Sequence, residues 1–132
     1  MIAQRTRLMV AATNIANSKT ILDNAGNLSP YKRRMVAFAA GNPGSGSAAG
    51  RALGVRVADI MEDQTAAPVK EYDPGNPYAY KSGPLQGYVP ETNVNPVWEN
   101  VNAMEAARAY EANVVAAEAT KTMMAQALRL LA

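Results

Sequence analysis

Apolar residues recur at helical spacing near the start of the chain. Four of them lie three or four positions apart within the segment from Ile2 to about Ser18: Leu8, Ala11, Ala12 and Ile15. This spacing places them on one face and predicts an amphipathic helix. Asn14 and Asn17 lie one turn apart in the same segment, although asparagine is a poor residue for a helix interior. They indicate either a fraying helix end or a polar stripe that hydrogen-bonds to a neighbouring helix or loop.

A second and much longer helical pattern closes the chain. Residues 97–132 contain no Gly or Pro and are rich in Ala, Glu, Met and Leu. A helix of that length would extend about 54 Å, well beyond the globular mean. Nine of its residues share one heptad seam: Ala103, Ala107, Tyr110, Val114, Ala117, Lys121, Met124, Leu128 and Leu131. A second apolar cluster is predicted to widen this face near the start of the helix: Val94, Val97, Val101 and Met104.

The two helices differ too much in length to bury each other completely. The first, at roughly 17 residues, can cover only about half of the second. The rest of the seam must be covered by the middle of the chain or by other molecules. A monomeric helical hairpin with one overlong helix is one interpretation, and copies that meet through these termini are the other. We expect the second.

The segment between the helices alternates in a way that predicts short strands. Residues 31–38 and 55–60 are two candidates, and residues 69–72 begin a third before a turn at 73–76. Residues 39–54 are rich in glycine and are expected to form a flexible loop. The fold class is therefore predicted as α+β, with a coiled-coil-like helical part from residues 1–18 and 97–132. Residues 19–96 would form the loops and a small β-rich part.

Composition changes this interpretation mainly by what it lacks. The 132 residues contain no Cys and no His, which removes disulfides, thiolate metal sites and the commonest general base. No cofactor, metal ligand or catalytic residue is assigned. No apolar run is long enough to span a bilayer, and the opening residues do not have the pattern of a secretory signal peptide.

Charge is distributed unevenly along the chain. Residues 1–58 carry eight basic groups and one acid, a balance of +7, and residues 59–132 carry five basic groups and ten acids, a balance of −5. A basic half can indicate nucleic acid. Here the same chain supplies the opposite charge, so self-complementary association within one chain or between copies is favoured over nucleic acid or an ordinary solvated surface.

Three other groups of residues have a chemical and a structural interpretation. The acids Asp59, Glu62 and Asp63 resemble a glycosidase acid and base, but a solvated strand end explains them better. The glycine-rich loop lacks the Gly-Lys-Ser/Thr ending of a phosphate-binding loop. Four tyrosines would form either a stacking surface or the packing of short strands: Tyr72, Tyr78, Tyr80 and Tyr88.

A family resemblance accounts for both ends of the chain. The stretch "RLMVAATNIANSKT" resembles the signature of bacterial flagellar basal-body rod proteins, roughly Asn-x-Ala-Asn-x-x-Thr, matched here by Asn14, Ala16, Asn17 and Thr20. The tyrosine-, glycine- and proline-rich passage that runs into "YEANV" resembles the C subtype of the proximal rod. The resemblance covers nearly the whole chain. It also implies further residues ahead of Gln4 in a longer first helix.

The resemblance implies a structural role. Members of the family are axial proteins, exported unfolded by the flagellar type III apparatus without a cleaved signal. They assemble helically into the rod that crosses the periplasm and transmits torque. Their terminal helices pack as coiled coils in the inner tube, and the middle segment forms a β-rich outer part. The implied partners are copies of the chain, other rod and axial proteins and the export apparatus, with no nucleic acid and no small-molecule substrate.

Ten residues are expected to contribute to packing between subunits: Leu8, Ala12, Asn14, Ile15, Asn17, Tyr110, Val114, Met124, Leu128 and Leu131. Two other classes of function remain as alternatives. A peptidoglycan-active or wall-binding periplasmic module would need its acids clustered in a cleft. A helical export adaptor would form a soluble complex with a partner and no filament.

Overall fold

The chain forms a helix at each end and two pairs of antiparallel strands between them. The computed structural model describes residues 1–41, 43–52, 54–65 and 68–131. Their elements, in chain order, are α1 (Ile2–Ala16), β1 (Arg34–Ala40), α2 (Ala48–Ala52), β2 (Val55–Glu62), β3 (Val69–Tyr72), β4 (Tyr88–Pro90) and α3 (Pro96–Leu131). The predicted α+β class is confirmed, as are both terminal helices.

Helix α3 begins where the sequence supplies a cap. The side-chain Oδ1 of Asn95 accepts hydrogen bonds from the backbone N–H groups of Val97 at 3.0 Å and Trp98 at 3.4 Å. Pro96 occupies the first helical position, where its fixed φ suits the helix and its missing N–H costs nothing. The helix then runs without interruption for 36 residues. Its start is therefore determined locally, and its length follows from the absence of Gly and Pro.

Helix α1 packs antiparallel against the first part of α3. Asn14, near the end of α1, contacts Glu99, while Arg7, two turns earlier, contacts Asn102 and Glu105. The apolar residues buried along this contact are small, and Ala11 and Ala106 are almost completely buried. Alanines allow two helices to approach closely, but they bury little surface. Ala103 and Ala107, which the predicted seam includes, are only half-buried on either side of Ala106.

Strands β1 and β2 form a hairpin against α1. Their antiparallel register runs from Arg34 opposite Glu62 to Ala40 opposite Val55, with a bulge after Ala37. The strand predicted at residues 31–38 therefore begins three residues too early and ends two residues too early. The reason is that residues 31–33 bond elsewhere: the N–H of Tyr31 donates to the carbonyl of Thr20, and that of Arg33 donates to a side chain beyond β4.

The glycine-rich segment 39–54 is more regular than a single loop. Ala39 and Ala40 complete β1, a short helix α2 follows, and the N–H of Gly41 donates to the carbonyl of Gly54 at 2.8 Å to close the hairpin. Residues 42 and 53 of this segment lie outside the described residues. The flexibility expected of the segment stays a prediction.

Strands β3 and β4 form a second, separate pair. The turn predicted at residues 73–76 is present, with the N–H of Asn76 donating to the carbonyl of Asp73 at 3.1 Å. β4 lies in a proline-rich passage where no strand was predicted. Across the pair, the rings of Tyr72 and Tyr88 meet edge to face, with centroids 5.2 Å apart. For these two tyrosines, strand packing is the correct interpretation, and the described strands form two two-stranded pairs rather than one sheet.

Gly87 provides a test of this second pair. Its φ of +84° lies in the left-handed region, and a Cβ there would stand 2.6 Å from Cε2 of the Tyr72 ring. We expect Gly87→Ala to lower the free energy of unfolding by about 2 kcal/mol or more, because it adds a steric clash to an unfavourable φ. Urea denaturation measures the loss.

Gly26→Ala is the matched control for this substitution. Gly26 has a similar φ of +81°, but nothing lies within 4 Å of a Cβ built there. Only the backbone penalty applies, about 1 kcal/mol. Equal losses for the two variants would show that the Tyr72 ring does not rest against Gly87.

Candidate functional site

The largest fully buried side chain in the described part of the chain is that of an asparagine. Asn14 is 0% exposed, and its amide makes four hydrogen bonds. Its Nδ2 donates to the backbone carbonyl of Arg34 at 2.8 Å and to Oε2 of Glu99 at 3.0 Å. Its Oδ1 accepts from the backbone N–H of Arg34 and from the Tyr31 hydroxyl, both at 3.0 Å. Every donor hydrogen and acceptor lone pair of the amide therefore has a partner.

Asn14 pairs with β1 as a neighbouring strand would. By bonding both backbone groups of Arg34, it satisfies the outer edge of the strand at its first residue. An unpaired backbone group buried away from water would cost free energy comparable to a lost hydrogen bond. A side chain of α1 thus joins the helix to the start of the hairpin.

Glu99 is the acidic partner in the same place. It lies in the first turn of α3, where the N-terminal end of a helix favours negative charge, and its side chain is only 3% exposed. Its Oε1 accepts from Nε of Arg33 at 2.7 Å, while its Oε2 accepts from Asn14. A buried carboxylate is costly unless both its charge and its hydrogen bonds are compensated. Here each oxygen has a donor, and Arg33 supplies the opposite charge.

We name Asn14, Arg33 and Glu99 the Asn14 cluster. It joins three parts of the chain that are far apart in sequence, because the bond from Arg33 to Glu99 spans 66 residues and that from Asn14 to Glu99 spans 85. Burial raises the pKa of the Tyr31 hydroxyl beside it, which therefore remains a protonated donor to Asn14.

The segments around the cluster are joined to it by further polar contacts. The N–H of Arg33 donates to Oδ1 of Asn93 at 2.7 Å, and the hydroxyl of Thr92, itself buried, donates to the carbonyl of Ser18. On the outer side, Arg33 faces the carboxylate of Asp63 at 3.8 Å. Hydrogen bonds from the hydroxyl and N–H of Thr65 lower the pKa of Asp63, so it stays ionised opposite Arg33.

Part of the charge asymmetry of the sequence is balanced inside the chain. Three basic residues from the first half pair with acids from the second: Arg7 with Glu105 at 2.8 Å, Arg33 with Glu99 at 2.7 Å, and Arg34 with Glu62 at 3.9 Å. The expected self-complementary association thus occurs, at least in part, between the two halves of one chain.

The last part of α3 has a different character. Burial on α3 ends at Ala117, which is half-buried, and each of residues 118–130 is exposed. We name this the uncovered segment. It carries large apolar side chains that would normally be buried: Met123, Met124, Leu128 and Leu130. Leu128 is 68% exposed and Leu130 is 88% exposed, which in a folded domain marks a surface for contact with another molecule.

A second apolar surface lies on the side of α3 away from α1. Val97, Val101 and Met104 share one face by their spacing, and all three are exposed. The sequence placed them beside the α1-facing seam, which is wrong, because Glu99 and Ala106 occupy the side that α1 covers. Of that predicted cluster, only Val94 is buried.

The residues expected to pack between subunits divide into three groups. Met124 and Leu128 lie in the uncovered segment, while Leu8, Ala12 and Tyr110 are exposed at the edges of the helix pair. Ile15, Asn17 and Val114 are half-buried, and Asn17 bonds to the carbonyl of Thr13 in its own helix. The side chain of Leu131 lies outside the described residues.

Asn14 differs from the other nine residues because its polar groups are used within the chain. Its four bonds weigh against a further role between subunits, and its expected role there stays a prediction. Arg33 and Glu99 were not singled out from the sequence as partners of Asn14. The available signal was an acid at the start of an otherwise apolar helix, which is also the ordinary place for a helix-capping charge.

The chemical alternatives find little support in the geometry. The three acids at the end of β2 are directed to local partners: Asp59 accepts from the N–H of Ile60, Glu62 faces Arg34, and Asp63 is bonded by Thr65. Within the described residues, no group of three or more His, Cys, Asp or Glu side chains could bind a metal ion. No described helix is long and apolar enough to cross a membrane.

Comparison with known proteins gives one consistent result. A sequence model of the family described as "Flagellar basal body rod FlgEFG protein C-terminal" matches residues 85–130, which include β4 and nearly all of α3. A protein of Escherichia coli O6:H1 named "Flagellar basal-body rod protein FlgC" is 43% identical over 129 residues, covering 97% of this chain and 87% of that protein.

Relatives from other bacteria carry the same name. The Salmonella typhimurium protein is 41% identical over 129 residues, again covering 97% of this chain and 87% of the relative. The Borreliella burgdorferi protein is 39% identical over 144 aligned residues, covering 98% of this chain and 89% of the relative. The similarity therefore extends over both terminal helices and the segment between them.

Two adjacent arginines, of which only Arg33 belongs to the Asn14 cluster, allow a matched test of its role in stability. We expect Arg33→Met to lower the free energy of unfolding by about 2 kcal/mol or more, because it leaves the buried Glu99 carboxylate without its cation. Arg34→Met removes only the exposed pair with Glu62 and a contact with the Tyr31 ring, about 1 kcal/mol or less. Urea denaturation of both variants makes the comparison. A loss at Arg34 as large as that at Arg33 would contradict the assignment.

Proposed function

Because this chain belongs to the family of flagellar basal-body rod proteins, we propose that it is a structural subunit of the proximal rod and polymerises helically through its terminal helices. In this role it forms part of the axial drive shaft that transmits torque. It works mechanically, as building material, rather than as a catalyst.

The observation that carries this proposal is the uncovered segment of α3. Thirteen consecutive exposed residues include four large apolar ones, and a helix of that length and composition is only marginally stable alone in water. Burial of a Leu or Met side chain contributes roughly 1.5–3 kcal/mol. Several such side chains, covered by neighbouring subunits, provide a substantial driving force for assembly.

Helix α1 is too short to supply this cover within the chain. Its 15 residues extend about 22 Å, against about 54 Å for the 36 residues of α3. The antiparallel packing brings α1 alongside the first part of α3 only. The exposed face of Val97, Val101 and Met104 adds a second uncovered surface, and apolar residues on opposite sides of one helix suit a helix surrounded by several others.

The proposal divides the chain into two parts by role. Residues 1–18 and 97–132 form the helical assembly part, and the predicted packing residues in it contact neighbouring subunits. Residues 19–96 form the small β-rich part that projects from the helices. Its two strand pairs have open edges and several exposed apolar side chains, such as Ile60 and Tyr72.

The route by which the subunit reaches the rod is also part of this proposal. We infer export in an unfolded state by the flagellar type III apparatus, without a cleaved signal peptide. The described core supports this route, because its buried apolar residues are four alanines and one valine: Ala3, Ala11, Ala79, Val94 and Ala106. A core of such small side chains is held together by little buried area. The partners are copies of this chain, other rod and axial proteins and the export apparatus.

Leu128→Asp tests the proposal directly. Leu128 is 68% exposed, so we expect the variant to fold like the parent protein, with an unchanged circular dichroism spectrum and urea midpoint. In the rod the new charge would be buried without a partner, which reduces incorporation at least about tenfold. Quantifying the protein in purified basal bodies from cells that lack the native gene, together with swimming in soft agar, measures this.

Thr120→Asp is the matched control. It places the same charge on the same uncovered segment, but on the side of the helix that carries Asn102 and Asn113, away from both the predicted seam and the second apolar surface. We expect it to assemble and swim nearly as well as the parent protein. Normal incorporation of Leu128→Asp would exclude this face as the contact between subunits.

A further inference from the structure

We propose that the Asn14 cluster is a positioning device that fixes the register of α1 along α3. In doing so, it determines which part of α3 remains uncovered. This assignment concerns the fold of a single chain and stands apart from the proposed role in the rod.

The apolar part of the helix contact does not specify a register strongly. Its deepest members, Ala11 and Ala106, are alanines, and on α3 two further alanines, Ala103 and Ala109, lie one turn to either side of Ala106. When α1 slides along α3 by one turn, Ala11 therefore faces another alanine. Contacts between such uniform small side chains favour close approach but distinguish poorly between alternative alignments.

The polar part of the contact, by comparison, can form in only one register of the two helices. A slide of one turn displaces Asn14 by about 5.4 Å along the helix, which breaks its bonds to Glu99 and to the backbone of Arg34. Hydrogen bonds require donor and acceptor within a few tenths of an ångström of their best distance. The shifted arrangement would leave the Glu99 carboxylate and the first peptide groups of β1 buried without partners.

The cluster also determines the position of the hairpin relative to both helices. Asn14 bonds both backbone groups of Arg34, and the neighbouring Arg33 bonds Glu99 through its side chain. The start of β1 is thus attached to α1 and α3 at one point. A change of register in α1 would therefore require β1 to detach as well, which further penalises the alternatives.

A role in register differs from a role in stability. Buried polar and charged clusters often add little net stability compared with apolar residues of similar size, and their best-supported use is to specify alignment between helices. The two roles predict different behaviour when the cluster is replaced as a unit by apolar side chains. Such a variant still folds but loses its unique register if the cluster acts as we propose.

The experiment uses the triple variant Asn14→Leu, Arg33→Met, Glu99→Leu and measures a distance between the two helices. The chain contains no cysteine, so a thiol-reactive spin label attaches only at the two introduced positions, Met9→Cys and Val115→Cys. Both positions are at least 60% exposed and lie outside the cluster. Double electron–electron resonance then gives the distribution of distances between the two labels.

In the otherwise unaltered chain we expect one narrow distance. In the triple variant we expect a cooperative melt at a lower temperature than that of the parent, because the backbone groups of Arg34 lose their partner, together with a broadened distribution or a second distance displaced by up to about 5.4 Å, the rise of one turn. Ala106→Gly is the control, because it weakens α3 without touching the cluster. It should lower the melting temperature by about 4 °C or more and leave the single distance unchanged.

Two results would overturn the proposal: a triple variant with the same single distance as the parent, or a parent chain whose own distribution is broad. If the triple variant gives no cooperative melt, Asn14→Ala replaces it and is measured below its melting temperature. A second distance in that variant supports the register role. A lowered melting temperature with one unchanged distance refutes it.

Discussion

One buried carboxylate, that of Glu99, organises the rest of the molecule. It lies in the first turn of α3 with 3% of its side chain exposed, and its two oxygens accept bonds from Asn14 and Arg33. Removing a carboxylate from water is costly unless such bonds replace its hydration. Because its donors come from α1 and from the residue before β1, satisfying this single group requires that three distant segments meet at the start of α3.

The position of this meeting point has a consequence at the other end of α3. Helix α1 is anchored near Glu99 and runs antiparallel, so its 15 residues reach only to about residue 111, and residues 118–130 remain uncovered. A chain that buried its long helix completely would have no apolar surface to offer to its neighbours. Here the buried polar contact and the exposed apolar segment are two results of the same alignment, and the second suits a protein of the flagellar rod family.

The sequence predicts those features that depend on local spacing. The extents of both terminal helices follow from apolar periodicity and from the Asn95–Pro96 start signal, and Asn14 attracts notice because asparagine is unfavourable within a helix. Its partners are not predictable in this way, since Glu99 lies 85 residues away and resembles an ordinary helix-terminal acid. Strand β1 is displaced from its predicted position for the same reason: residues 31–33 bond to distant groups, which a pattern of alternation does not reveal.

The most direct test of the account is amide hydrogen exchange along α3, in the isolated subunit and in assembled rods. We expect slow exchange for residues 99–110 in both states, because α1 and the Asn14 cluster cover them. We expect fast exchange for residues 118–130 in the isolated subunit and strong protection of the same residues in rods. Strong protection of residues 118–130 in the isolated monomer, unchanged on assembly, would contradict it.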